Sequence, residues 1–175
     1  CPDCEGNGRV RRERQLDVDI PAGVEDGLQI RLAGEGHHGR HGGSPGNLYV
    51  ALRVTDHPSF TRDGTDLHLQ LGLNPADAAL GAEVEVPTLD GEPSSLRIPA
   101  GTQTGDSFRL PELGVPHLRR SGRGELVVTV FVMTPEKLSR EQKDLLEQLR
   151  STLPEATVME PNKGTWWKRL RERFR

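Results

Sequence analysis

Apolar and polar residues alternate in short runs along most of this chain, the two-residue period of strands with one buried face. Leu16, Val18 and Ile20 alternate with Asp17 and Asp19, predicting a half-buried strand, and Gln29 to Leu32 predicts a short second one. Further on, Leu48, Val50, Leu52 and Val54 fall on one face of a third strand, with Tyr49, Ala51 and Arg53 on the other. Phe60 to Gly64 reads as a connector with an Asp63-Gly64 turn. Leu67, Leu69, Leu71 and Leu73 alternate into the next strand. Glu83 to Leu89 and Ser95 to Ile98 predict a hairpin around Asp90-Gly91, a tight-turn pair, and strands follow near Ser107–Leu110 and Leu126–Met133.

The period changes to a helical one in three places. Asn74 can cap, Pro75 suits a first helical position and Gly81 can stop a helix of about two turns. Ser139 with Gln142 forms a capping box ahead of Leu145, Leu146, Leu149 and Leu153, predicting an amphipathic helix over 140–150. Pro154 to Gly164 is a linker, and a last short helix places Trp166, Trp167, Leu170 and Phe174 on one side and basic residues on the other.

These elements are organised by a repeat. At a constant offset of 78 positions, Ile20-Pro21-Ala22-Gly23 lands on Ile98-Pro99-Ala100-Gly101. Gly27, Arg31, Leu32, Gly36, Gly46, Leu48, Val50 and Val54 meet the same residue types at Gly105, Arg109, Leu110, Gly114, Gly124, Leu126, Val128 and Val132, without a gap. A duplicated structural unit follows, two related β-modules in tandem.

Composition narrows the class. With 33% hydrophobic and 4% aromatic residues among 175, each module buries a thin core, while 20 Gly and 13 Pro suit short strands and many turns. The net charge of −3 hides an asymmetry: the last thirteen residues carry +5 and the rest −8. An acidic body argues against a phosphate-binding surface. No apolar run approaches the roughly 20 residues of a membrane span. The chain starts at Cys1 with no signal-peptide pattern and is expected to be cut at its N-terminus.

Chemistry-bearing motifs are few. Cys1 and Cys4, followed by Gly6 and Gly8, form a knuckle that can aim both sulfurs at one ion, half of a tetrahedral zinc site, and no other Cys exists. A redox pair or idle thiols are the alternatives, and the knuckle glycines favour metal. His37, His38 and His41 read as a solvated loop rather than ligands. Phosphate-loop, zinc-protease and nucleophile-elbow patterns are absent, so no enzyme is expected. The competing functions are a thiol-disulfide oxidoreductase using Cys1 and Cys4, and a zinc-knuckle nucleic-acid binder.

Read in order, C-x-x-C-x-G-x-G, IPAGVEDG, LYV, HPSFTRDGTDL, ALG with EVEVPTLDG, IPAGTQTG, GVPHLRRSGRGEL and TP-x-x-L resemble the C-terminal region of the DnaJ co-chaperones, over about residues 1–150. The resemblance implies a mostly β fold of two sandwich-like modules, the first incomplete, with C-terminal amphipathic helices. It divides the chain into a zinc-module remnant (1–9), a partial first client-binding β-domain (10–55), a second β-domain (56–135), a dimerisation helix (136–153) and a linker with basic tail (154–175).

The resemblance also implies partners and sites. Unfolded or misfolded polypeptide is held in a groove assigned to Leu16 and Val50, with Val18 and Leu48 as neighbours, and is passed to a DnaK-type chaperone through a J-domain outside this chain. All four residues can instead fill the module core. Zinc belongs to the full-length protein; Cys1 and Cys4 alone bind it weakly or not at all. Leu145, Leu146 and Leu149 are assigned to a homodimer contact, while the Trp166–Phe174 stripe, by its own pattern, reads as a dimer or docking contact before a membrane surface. The expected setting is cytoplasmic, with no nucleic acid.

Overall fold

The computed structural model describes residues 13–39 and 43–155; Cys1, Cys4, His41 and the Trp166–Phe174 stripe lie outside them. Along the chain run β1 (Gln29–Leu32), β2 (Leu48–Ala51), β3 (Phe60–Asp63), β4 (Asp66–Leu73), α1 (Pro75–Leu80), β5 (Ala82–Val86), β6 (Ser94–Ile98), β7 (Ser107–Leu110), β8 (Leu126–Val132) and α2 (Arg140–Thr152). The fold is mostly β. Among the described residues β1 pairs with β2, β5 pairs with β6, and a four-stranded sheet has the order β3-β4-β8-β7. Two compact units interleave in sequence: Cys1–Leu69 with Arg109–Val127, and Gln70–Phe108 with Val128–Arg175.

In the first unit β1 and β2 are antiparallel, Gln29 opposite Ala51 and Leu32 opposite Leu48. The β3–β4 hairpin closes through Gly64 at φ 58°, and Phe60, Leu67, Leu69, Val115, Leu126 and Val127 are buried. In the second unit the core is Leu73, Ala78, Val86, Leu96, Ile98, Val128 and Val130. Full burial of such side chains contributes about 1.5–3 kcal/mol each. Asn74 caps α1 by accepting the Asp77 N–H at 2.8 Å, and Gly81 ends it at φ 83°. The capping box at Ser139 and Gln142 starts α2, which runs two residues beyond the expected end.

The repeat is carried into hydrogen bonding. Gly27 donates to Leu52 O and Leu52 to Leu28 O; at the same offset Gly105 donates to Val130 O and Val130 to Asp106 O. Gly36 to Gly46 and Gly46 to His37 recur as Gly114 to Gly124 and Gly124 to Val115. The Val54 N–H donates to the Asp26 carboxylate at 2.8 Å, and its counterpart Val132 donates to the Thr104 hydroxyl at 3.0 Å.

Four expectations need correction. Leu16–Ile20 forms no strand, although its counterpart Ser94–Ile98 is β6. Ala82–Val86 pairs with β6 residue for residue, whereas no described strand pairs with Leu16–Ile20, and alternation without a ladder partner makes no strand. The expected connector at Phe60 is instead strand β3, paired over Phe60–Asp63 with β4. The hairpin around Asp90-Gly91 has a longer loop, Pro87–Pro93, because Val86 pairs with Ser94 and proline has no N–H for a ladder. Finally β2 stops at Ala51, and Val54 is 40% exposed rather than turned inward.

Candidate functional site

Register decides which side chains share a face. Directly opposite residues of an antiparallel pair point the same way, as do residues two apart on one strand. Ile30 lies opposite Val50 and Leu32 opposite Leu48, so these four apolar side chains share one face, while Arg31 and Tyr49 project from the other. All four are half-buried, and Arg31 and Tyr49 are exposed. A two-stranded sheet has no interior strand, and among the described residues β1 and β2 pair only with each other. Each has an outer edge with main-chain groups able to accept a further strand.

Leu48 and Val50 are therefore brought together, with Ile30 and Leu32, which the sequence reading passed over. Their signal was the alternation in QIRL, but only the pairing shows which face it joins. Leu16 and Val18 are half-buried on the segment entering the Pro21–Gly23 turn, and no strand pairing joins them to Leu48 and Val50. The repeat counterparts of Leu48 and Val50, Leu126 and Val128, have no exposed surface. The same positions are sealed core in one copy and, among the described residues, only half-buried in the other.

The surroundings are charged but sparse in chemistry. Asp17 and Asp19 face solvent beside Leu16 and Val18, and Arg14 pairs with Glu35 at 2.8 Å. Arg109 donates to Glu125 at 2.8 Å, and that hydrogen bond, helped by the carboxylate charge, raises the guanidinium pKa further above its ordinary value. Among the described residues no group of three or more His, Cys, Asp and Glu can hold a metal ion. Two thiols, Cys1 and Cys4, do not make up the four ligands of structural zinc. On α2 no residue is buried: Leu145, Leu146 and Leu149 are 59%, 41% and 51% exposed. No described helix is long and apolar enough to cross a membrane.

Comparison with known proteins gives a consistent result. The family described as DnaJ C terminal domain matches residues 5–135. Proteins named Chaperone protein DnaJ from Acidiphilium cryptum and Methylorubrum extorquens are 45% and 44% identical over 174 residues, 99% of this chain and 45% of each relative. The one from Brucella canis is 44% identical over the same share of this chain and 46% of its own length. The chain thus spans less than half the length of the curated relatives it matches.

Proposed function

Because the chain belongs to the DnaJ C terminal domain family, we propose that it is the polypeptide-binding part of a DnaJ-type co-chaperone. It holds non-native polypeptide and hands it to a DnaK-type ATPase chaperone through a J-domain outside these residues, with no chemistry on the client. The half-buried apolar face of Ile30, Leu32, Leu48 and Val50 beside an open strand edge carries this reading. An extended client adds as a strand while its alternate side chains rest on that face.

Magnitudes fit a holder that must let go. Completing the burial of these four partly exposed aliphatic side chains contributes about 0.5–4 kcal/mol. That falls short of the roughly 8 kcal/mol of micromolar binding, so main-chain pairing along the edge supplies the remainder. Leu16 and Val18 extend the face on the strand-competent Leu16–Ile20 segment. The acidic body disfavours nucleic acid, and α2 joins two copies through Leu145, Leu146 and Leu149. In the full-length cytoplasmic protein, Cys1 and Cys4 supply two of four thiolates to a zinc site.

The test is suppression of aggregation of a chemically unfolded reporter by this chain and by its Leu16→Ser/Val50→Ser variant, each checked for folding by circular dichroism. Protection by the parent and not by the folded variant supports the face. Equal protection by both moves the client site elsewhere.

A further inference from the structure

The turn that joins Leu16–Ile20 to β1 is gripped by an arginine from far along the chain. Arg62, half-buried on β3, donates from all three guanidinium nitrogens to main-chain carbonyls. Nη1 reaches Val24 O at 2.6 Å, Nη2 reaches Gly23 O at 2.8 Å and Nε reaches Gly64 O at 2.7 Å. Behind the turn there is no slack. A Cβ on Gly23 would lie 2.1 Å from Pro116 O, and Gly23 holds φ at +91°.

The second copy of the repeat holds its turn differently. There the Gly101 and Thr102 N–H groups donate to Ala78 O on α1 at 2.9 and 3.1 Å. The described part of the first copy has no counterpart of α1, and a side chain does the holding instead. The chemistry suits the task. Two adjacent carbonyls match the planar fork of a guanidinium, charge-assisted bonds are stronger than neutral ones, and a lysine offers a single point charge. Leu16 and Val18 precede this turn and Ile30 and Leu32 follow it, so holding its carbonyls restrains the direction in which the Leu16–Ile20 segment enters β1.

We propose that Arg62 is the positioning residue of the polypeptide-binding face: it touches no client and sets how Leu16 and Val18 stand against β1 and β2. This rests on the binding reading above. Arg62→Ala and Arg62→Lys are made in the whole chain, and three quantities are read. The first is amide hydrogen exchange at Gly27 and Leu28, whose N–H groups donate to Leu52 O and Glu25 O beside the gripped turn, against residues 66–73 and 126–132. The second is affinity for a fluorescent, reduced and carboxymethylated polypeptide that cannot refold. The third is the same affinity in the Leu16→Ser/Arg62→Ala double variant.

The expected result for Arg62→Ala is faster exchange confined to Gly27 and Leu28 and about tenfold weaker binding, the scale of one charge-assisted hydrogen bond. Arg62→Lys should fall between it and the parent. Leu16→Ser should add little in the Arg62→Ala background, since a side chain already out of place has little left to lose. Unchanged exchange at Gly27 and Leu28, equal loss of protection at 66–73 and 126–132, or fully additive binding losses would overturn the proposal. If the parent itself fails to bind the probe, the binding reading falls and Arg62 positions no client face, even if the exchange pattern shows that it pins the turn.

Discussion

Ile20 and Ile98 occupy the same place in the repeat, yet Ile98 is 2% exposed and Ile20 is 58% exposed. Both precede Pro-Ala-Gly, and both end an alternating run. The difference lies in the partner. Ile98 stands opposite Ala82 in the β5–β6 ladder, in the unit whose core includes Val86, Leu96 and Val128, and no described strand takes that role beside Ile20.

Identical substitutions at the two positions should therefore separate. Ile98→Ala removes a sealed core side chain and should cost about 2–5 kcal/mol in urea unfolding. Ile20→Ala removes one already in water and should stay within about 0.5 kcal/mol. Comparable losses at both sites would show that Ile20 is covered in solution by something beyond the described residues.

Glycine positions make a second contrast. A Cβ on Gly124 would meet Thr65 O at 2.1 Å and Asp66 Oδ1 at 2.6 Å, and both atoms are already engaged, by Val115 N–H and Glu125 N–H. Nothing there can move without breaking a bond. Gly124→Ala should cost about 3 kcal/mol or more. Gly91, at the tip of the Pro87–Pro93 loop, has φ +85° but open space around it, so Gly91→Ala should cost only the backbone strain, about 1–2 kcal/mol. Thermal unfolding of the two variants gives the comparison, and equal shifts would contradict the close approach at Gly124.

What the sequence made legible was whatever depends on near neighbours. The Asn74 cap, the Ser139 capping box and the leucine alternation of β4 are local, and all three form as read. β3 was missed because four residues, Phe-Thr-Arg-Asp, make a run too short to show a period, and its identity comes from pairing with β4. Leu16–Ile20 failed the other way: its alternation was real, but a strand requires a second strand. The apolar face follows the same rule, since Leu48 and Val50 could be named from the chain whereas Ile30 and Leu32 needed the register. Arg62 reaches across 38 and 39 positions to its carbonyls, a relationship no local pattern records.

The Arg109–Glu125 pair predicts an absence of pH dependence. The hydrogen bond to Glu125, with its charge second, raises the arginine pKa above its unfolded value. A raised basic group contributes stability that is fully present below its unfolded pKa and lost only as pH rises through the folded one, here beyond the ordinary working range. The difference in unfolding midpoint between parent and Arg109→Gln should stay constant from about pH 7 to pH 10. It should shrink in about 1 M salt, because both side chains are substantially solvated and such pairs are screened. A difference that disappears by pH 10 would assign the effect to another titrating group.

Helix α2 poses the sharpest energetic question, because thirteen residues with no buried side chain are marginal as a helix in water. Its capping box is well formed, Ser139 Oγ accepting from Gln142 N–H at 3.2 Å and Gln142 Oε1 accepting from Ser139 N–H at 2.9 Å. A cap supplies about 1 kcal/mol, too little to hold the helix by itself. Covering Leu145, Leu146, Leu149 and Leu153 against a second copy would supply the rest, and on the dimer reading it does. The parent should then sediment as a dimer at tens of micromolar, a range set by about 6–7 kcal/mol of association. Leu145→Asp/Leu149→Asp should sediment as a monomer and lose helical signal near 222 nm, with the β core unfolding at an unchanged midpoint. Ser139→Ala should weaken the dimer by about thirtyfold, because each of the two copies loses a cap of about 1 kcal/mol on the helix that carries the contact. A monomeric parent with its helical signal intact would show that α2 is stabilised some other way, and the dimer contact would have to be sought elsewhere on the chain.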